Sequence, residues 1–430
     1  MAKKPTIIYL CDQCGNEFPV WAGKCSMCGA WNSLKELKIE SSSAKASRAS
    51  RDVSLYKIAE IKADDFSRIL TGISEFDRVM GGGIVPGSIT LIGGEPGIGK
   101  STLILQVASS VGGVMYNSAE ESAQQIKMRA DRLGVGQSDI TLLSEPNVEA
   151  VLDLARKNKP KLLIIDSIQT VTSDNYDATA GSIVQVRECG IILQQFAKSS
   201  GIPVFEIGHV TKEGNLAGPK ILEHLVDTVL YLEGERFNDA RILRGVKNRF
   251  GATDEIGIFS MQGKGMVEVT NPSELFLSER QEGPGSVVTV AIEGTRPLLV
   301  EIQAIVVPTH FGYPKRTSSG FDLNRLNLLA AVVSKNGGLD LSNHDIYLNV
   351  VGGMKLKEPA ADLAVCAAII SSAMNKSFGK DSCLFGEVGL MGETRNVTRK
   401  AEREKESKKL GFAQIKVDSI RELNEKLGTK

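Results

Sequence analysis

The sequence predicts an α/β fold in three successive parts: a small cysteine-rich module, a central domain with a parallel sheet, and a C-terminal α+β domain. Three observations carry that reading. Four of the seven cysteines lie between residues 11 and 28. An apolar run, Ile89–Ile92, ends in glycines and leads through residues 94–102 into an apolar helical stretch, Leu103–Ala108. From about residue 272, β-rich runs alternate with helix-like ones. A length of 430 residues accords with two to three domains. Lys+Arg and Asp+Glu both number 51, which excludes a chain basic throughout but leaves room for a local basic surface. No apolar run reaches the ~20 residues of a membrane-spanning helix. Met1–Pro5 opens neither a signal peptide nor a transit peptide. A cytoplasmic protein with no membrane partner is the expectation.

Cys11 and Cys14 form one Cys-x-x-Cys knuckle and Cys25 and Cys28 a second, with ten residues between them. Each knuckle turns two sulfurs to one side, and Gly15 and Gly29 follow where the backbone calls for positive φ. Four thiolates at about 2.3 Å satisfy tetrahedral Zn²⁺ with no open position, so the site reads as structural. An iron site or a redox disulfide pair is the alternative. So short a module cannot bury enough apolar surface to fold alone, and metal binding supplies its folding energy. What this zinc ribbon, residues 1–35, touches is left open: nucleic acid, protein, or its own chain. Cys189, Cys366 and Cys383 read as small buried residues. Residues 36–65 read as a flexible linker, with five serines between Ser41 and Ser50.

Gly94, Glu95, Pro96, Gly97, Ile98, Gly99, Lys100, Ser101 and Thr102 contain the pattern G-x-x-x-x-G-K-[ST] between a strand and a helix. Glycines let backbone N–H groups close around phosphates, and the helix N-terminus adds positive charge. Lys100 is placed for the β- and γ-phosphates of ATP or GTP, and Ser101 for Mg²⁺. Lys161–Asp166 reads as a strand buried on both faces, ending in a carboxylate for the magnesium shell. A short strand from Val114 leads to Glu120 and Glu121, either of which fits a base that deprotonates water, while one may simply charge the first turn of the helix that follows. A fourth apolar strand, Pro203–His209, delivers His209 to the same edge.

A glycine loop, a glutamate after the next strand and a strand-end aspartate together resemble the RecA-like ATPase core. Three further stretches narrow the resemblance: Thr71–Ser88 ahead of the loop, Gly208–Gly214 after the fourth strand, and Lys247–Gly251, which reads Lys-Asn-Arg-Phe-Gly. With the ribbon in front, the whole chain resembles the RadA (Sms) family of bacterial DNA-repair proteins. That resemblance implies a RecA-like domain over residues 66–271, with Glu120 as the catalytic glutamate and Lys247–Gly251 as a signature block. Read from the residues alone, Lys247 and Arg249 are two cations in a loop. They suit either charge stabilisation at a γ-phosphate or a solvated basic turn. The resemblance further implies a DNA-dependent ATPase that forms a hexameric ring. Such a ring would bind single-stranded and branched DNA, drive branch migration in recombinational repair, and work beside the RecA recombinase. An ATP-switched interaction protein without motor activity is the rival.

Residues 272–430 resemble the Lon protease domain, whose catalytic serine works with a lysine. The matching stretch here is Glu358–Asp362, so Ala360 takes the serine's place, and the lysine's place falls near Ala401, beside Lys400. A methyl group cannot attack a carbonyl, so an inactive protease-like scaffold is expected. Lys315, Arg316 and Arg325 are candidates for phosphate contacts. The run Arg399–Lys409 reads as an exposed helix face with i,i+4 ion pairs.

Overall fold

The computed structural model describes residues 6–11, 17–27, 29–39, 67–209, 222–234, 239–309 and 312–428. Its contacts divide the chain into two units, Met1–Glu233 with Arg241–Glu268, and Gly234–Ala240 with Val269–Lys430. Among the described residues, no helix is long and apolar enough to cross a membrane.

At the N-terminus, β1 (Thr6–Cys11), β2 (Glu17–Phe18) and β3 (Leu34–Ile39) form an antiparallel sheet in the order β2-β1-β3. Cys11, Cys25 and Leu34 are buried together, with Tyr9 and Phe18 packed on them. Cys14 and Cys28 lie outside the described residues. Residues 36–39, expected to open the linker, instead belong to β3, which stays paired with β1 through Thr6↔Ile39. Residues 40–66 lie outside the described set.

The central domain is a nine-stranded sheet. Its strands are β4 (Ile89–Gly94), β5 (Val114–Ser118), β6 (Ile140–Leu143), β7 (Leu162–Asp166), β8 (Val204–Ile207), β9 (Thr228–Glu233), β10 (Ala240–Asn248), β11 (Ile256–Gln262) and β12 (Gly265–Glu268). They stand in the order β12-β11-β10-β9-β4-β8-β7-β5-β6. From β9 to β6 every pairing is parallel. β10 runs antiparallel to β9, and β12 to β11. Helices α1 (Ser74–Val79), α2 (Lys100–Val111), α3 (Ala123–Arg132), α4 (Val148–Asn158) and α5 (Ile183–Ser200) connect or flank the strands. Successive residues of a strand feed opposite layers. Ile92 joins Leu103, Ile104 and Phe205 on one face, while Ile89 and Leu91 join Val151, Leu193 and Phe196 on the other. Both faces are therefore apolar, and the parallel strands deliver Gly94, Ser118 and Asp166 to a single edge.

The second unit is built on a six-stranded sheet in the order β15-β16-β14-β13-β17-β20. Its long strands are β13 (Ser286–Glu293), β14 (Arg296–Pro308), β15 (Arg316–Ser319) and β16 (His344–Val350). β17 (Ser382–Cys383) and β20 (Ala413–Gln414) are two-residue edges, and β18 (Glu387–Val388) pairs β19 (Thr394–Arg395) apart from them. Helix α6 (Pro272–Leu277) precedes the sheet, and α7 (Leu323–Asn336) and α8 (Asp362–Met374) follow β15 and β16. α9 (Lys400–Lys409) and α10 (Ile420–Gly428) close the chain. Cys189, Cys366 and Cys383 are buried and free.

One expectation fails in this unit. The run Arg399–Lys409 is helical, but Arg403 is fully buried rather than solvated. Its guanidinium binds both oxygens of Glu358 and the carbonyls of Val290 and Thr398. The ion pairs along this helix are i,i+3, Arg399–Glu402 and Glu406–Lys409. Arg325 places Nε and Nη2 on the buried carboxylate of Asp362, while 33% of its side chain stays exposed. A carboxylate withdrawn from water needs a fixed counter-charge.

Glu206 is the anomaly of the central sheet. It lies in register between Leu91 and Ile165, is fully buried, and neither carboxyl oxygen has a hydrogen-bond partner. Burial pushes its carboxyl from an ordinary 4.5 up to about 8. The folded state thus keeps a proton that the unfolded chain releases near pH 4.5, so stability falls as pH rises from about 4.5 to about 8 and is level beyond. At ~1.4 kcal/mol per unit, the fall attributable to this residue reaches about 5 kcal/mol. Urea midpoints of Glu206→Gln should lose that slope between pH 5 and 8. Equal slopes in variant and parent would show that Glu206 is not held neutral.

Candidate active site

The phosphate loop closes on its own lysine. Lys100 is buried, and its Nζ donates to the carbonyls of Gly94 at 2.9 Å and Glu95 at 3.1 Å. Gly94 has φ +152, and a Cβ there would stand 2.6 Å from the Leu232 carbonyl, so only glycine fits against β9. Gly99, at φ +112, caps α2, and a Cβ would stand 2.5 Å from the methyl groups of Met261 and Met266. Pro96 and Gly97 are exposed at the tip, while Ile98 is buried. Burial brings Lys100 down from 10.5 to about 8, against the opposing pull of Asp166 and Glu120. Bound phosphate oxygens would restore the charge that burial disfavours.

The carboxylates converge on this lysine. Asp166, at the end of β7, is buried and accepts a 2.5 Å hydrogen bond from the Tyr116 hydroxyl. Glu120 accepts from Ser167 Oγ at 3.3 Å, and its Oε1 lies 3.6 Å from His209 Nε2. His209 Nδ1 is 3.1 Å from Lys100 Nζ. Because an ammonium only donates, Nδ1 accepts and the ring proton sits on Nε2, facing Glu120. Glu121 turns the other way and pairs with Arg129 on α3. Of the two glutamates, Glu120 faces the loop and Glu121 is tied to a helix. Tyr116 escaped notice, although a tyrosine in a fully buried strand must find a partner for its hydroxyl.

Lys247 and Arg249 are not brought to this edge. Lys247 and Asn248 end strand β10, and they are not part of a loop. Asn248 pairs with Thr228, which pairs with Thr90 near the start of β4. Gly94 lies four residues further along β4, about 13 Å at the rise of a strand. Here Lys247 Nζ donates to the carbonyls of Glu223 at 2.7 Å and His224 at 3.3 Å. Burial, then repulsion from Arg249, lowers its affinity for a proton. Arg68 Nη2 binds the Phe250 carbonyl at 2.6 Å, and Phe250 N–H donates to Asn248 Oδ1 at 2.9 Å. The block is well built, but it stands at the opposite end of the sheet from its own phosphate loop.

The donors present suit the expected ions. Ser101 in the first turn of α2 and Asp166 at the end of β7 are the oxygen ligands that Mg²⁺ prefers. In the ribbon, Cys11 and Cys25 are buried side chains of one small core. The Cys11 thiol lies 3.2 Å from Ser33 Oγ, and Gly29 N–H closes the second knuckle on the Cys25 carbonyl at 2.9 Å. Two thiols held inside a domain too small to need them as packing fit the zinc assignment. Both tryptophans of the chain, Trp21 and Trp31, sit in this ribbon with 54% and 72% of their surface exposed.

Comparison with known proteins agrees with this geometry. A family model described as an AAA domain matches residues 57–215, and one described as a rubredoxin metal binding domain matches residues 9–36. The DNA repair protein RadA of Bacillus subtilis (strain 168) is 50% identical over 417 residues, spanning 95% of this chain and 91% of that protein. The chain belongs to the RadA family. RadA of Pseudomonas aeruginosa is 47% identical over 412 residues, spanning 94% of this chain and 91% of that protein. RadA of Streptococcus pyogenes serotype M1 is 50% identical over 421 residues, spanning 96% and 93%. As a RadA-family protein the chain has a RecA-like ATPase core behind an N-terminal zinc ribbon, and the loop, Asp166 and Glu120 described above lie in that core.

Two outcomes follow from the site. Glu120→Gln should keep ATP binding and lose hydrolysis by about 10²–10⁴-fold, while Glu121→Gln should stay within a few-fold of the parent. Steady-state hydrolysis and nucleotide titration distinguish them, and the reverse pattern would exchange their roles. For the ribbon, purified protein should hold about one zinc per chain, and Cys28→Ser should release it. Tryptophan anisotropy should then drop, since both fluorophores are ribbon residues, while ATP hydrolysis persists. A parent without zinc would refute the assignment.

Proposed function

We propose that this protein is a DNA-dependent ATPase of recombinational repair. It binds single-stranded and branched DNA and drives branch migration as a homo-oligomeric, hexameric ring, beside the RecA recombinase. The observation that carries the reading is the placement of the Lys247–Arg249 block at the sheet edge opposite its own phosphate loop. A cation pair so elaborately held, yet out of reach of its own nucleotide, suits a neighbour's. The repair role rests on family membership, since the relatives bear the name DNA repair protein RadA.

In the reaction, Lys100 exchanges the carbonyls of Gly94 and Glu95 for phosphate oxygens. Ser101 and Asp166 would hold Mg²⁺, which would supply charge neutralisation on the nucleotide's phosphates. Glu120, steadied by Ser167 and near His209, takes the proton from the attacking water. Lys247 and Arg249 of an adjacent subunit meet the charge that develops in the transition state. The C-terminal unit is a protease-like scaffold without its nucleophile. Ala360 is buried in the turn that opens α8, and the Glu358–Arg403 pair lies beside it. No peptidase activity is expected of it.

ATP hydrolysis should rise on adding single-stranded DNA, and no stimulation would favour a nucleotide-switched interaction protein instead. Lys247→Ala should retain nucleotide binding and lose hydrolysis on the order of 10³-fold. Mixing Lys247→Ala with Lys100→Ala subunits should restore turnover, because some interfaces then combine an intact loop with an intact block. Inactivity of every mixture would place the block in cis, and parental turnover by Lys247→Ala alone would reduce it to a basic turn.

A further inference from the structure

We infer that Asp227 is the positioning residue for the Lys247–Arg249 block, an inference that rests on the trans role proposed above. Asp227 is 1% exposed and immediately precedes β9, on the edge away from the phosphate loop. Its contacts reach three elements. Oδ2 accepts from Lys198 Nζ of α5 at 2.6 Å and from the Ile89 N–H of β4 at 3.2 Å. Oδ1 lies 3.7 Å from Arg249 Nη1. Its carbonyl accepts from Arg249 N–H at 3.1 Å, and its own N–H donates to the Ile89 carbonyl at 3.0 Å.

Asp227 pairs with Arg249 and also acts on Lys247, where Glu223 adds a smaller pull of the same sign. Arg249 keeps 56% of its side chain exposed, so without a fixed counter-charge its long stem would sample many rotamers. Lys198, held by Asp227, also lies over the Phe250 ring with its Nζ 6.0 Å from the centroid. Lys247 is held by the carbonyls of Glu223 and His224, on the same segment that Asp227 anchors to β4. One buried carboxylate therefore fixes both cations, directly for Arg249 and through the 223–227 segment for Lys247. It touches no nucleotide itself, since Gly94 lies at the other end of β4. A substitution that keeps its shape and removes its charge separates positioning from packing.

Asp227→Asn retains an oxygen for the Ile89 N–H and loses the hold on Lys198 and Arg249. It should bind ATP as the parent does, with KM within a few-fold, while kcat falls about 10²-fold, the usual cost of misplacing a reacting group by ~1 Å. Its thermal midpoint checks that it folds. Subunit mixing then gives a readout that mere destabilisation would not move. Asp227→Asn with Lys100→Ala should regain turnover, since the first contributes an intact loop and the second an intact block. Asp227→Asn with Lys247→Ala should stay inactive, because both lack a working block. Parental kcat in Asp227→Asn, or recovery with Lys247→Ala, would overturn the inference. So would failure to recover with Lys100→Ala when Lys247→Ala does recover. If Lys247→Ala with Lys100→Ala is itself inactive, the trans reading falls and this inference falls with it.

Discussion

Burial of the parallel strands on both faces is the constraint from which the site follows. A strand covered above and below by apolar layers cannot carry a charged side chain along its length without cost. Polar groups are therefore driven to strand ends, and parallel pairing gathers those ends at one edge. Gly94, Ser118, Asp166 and Ile207 end neighbouring strands there, which is how Lys100, Glu120 and His209 come within reach of one another. Glu206 is the exception that shows the rule, since its carboxyl stays in the interior by keeping its proton.

The same constraint decides what could be read without coordinates. The phosphate loop was legible because its glycines, lysine and serine each answer to a local need and sit between a strand and a helix. Asp166 was legible because a lone carboxylate at the end of Leu-Leu-Ile-Ile has only one place to go. Separating Glu120 from Glu121 needed Arg129, which lies eight residues beyond Glu121 and reaches it only once α3 has formed. The tie between Tyr116 and Asp166 needed the register that sets β5 beside β7.

Charge runs were the weakest guide. Arg399–Lys409 has the composition of a solvated helix, and nothing within it distinguishes Arg403 from its neighbours. What buries it is Glu358, which lies far earlier in the chain and accepts both from Arg403 and from the Ile292 N–H at 2.7 Å. Lys247 and Arg249 were recognisable as a block only through family resemblance, and their edge of the sheet only from the pairing of β10 with β9 and of β9 with β4. In each case the missing information was the identity of a distant partner, which local pattern does not contain.

The two edges of the central sheet also give each subunit a polarity. With the phosphate loop on one edge and the cation block on the other, the surfaces that meet in a trans site are unlike, and repeating such a contact yields either a closed ring or an open filament. On the proposed trans reading, an isolated subunit holds no complete site, and an open filament leaves a loop idle at one end and a block idle at the other. Turnover per subunit should then climb with protein concentration until the ring closes. On the same proposed reading, a subunit with a dead block also silences the intact loop of the neighbour it faces.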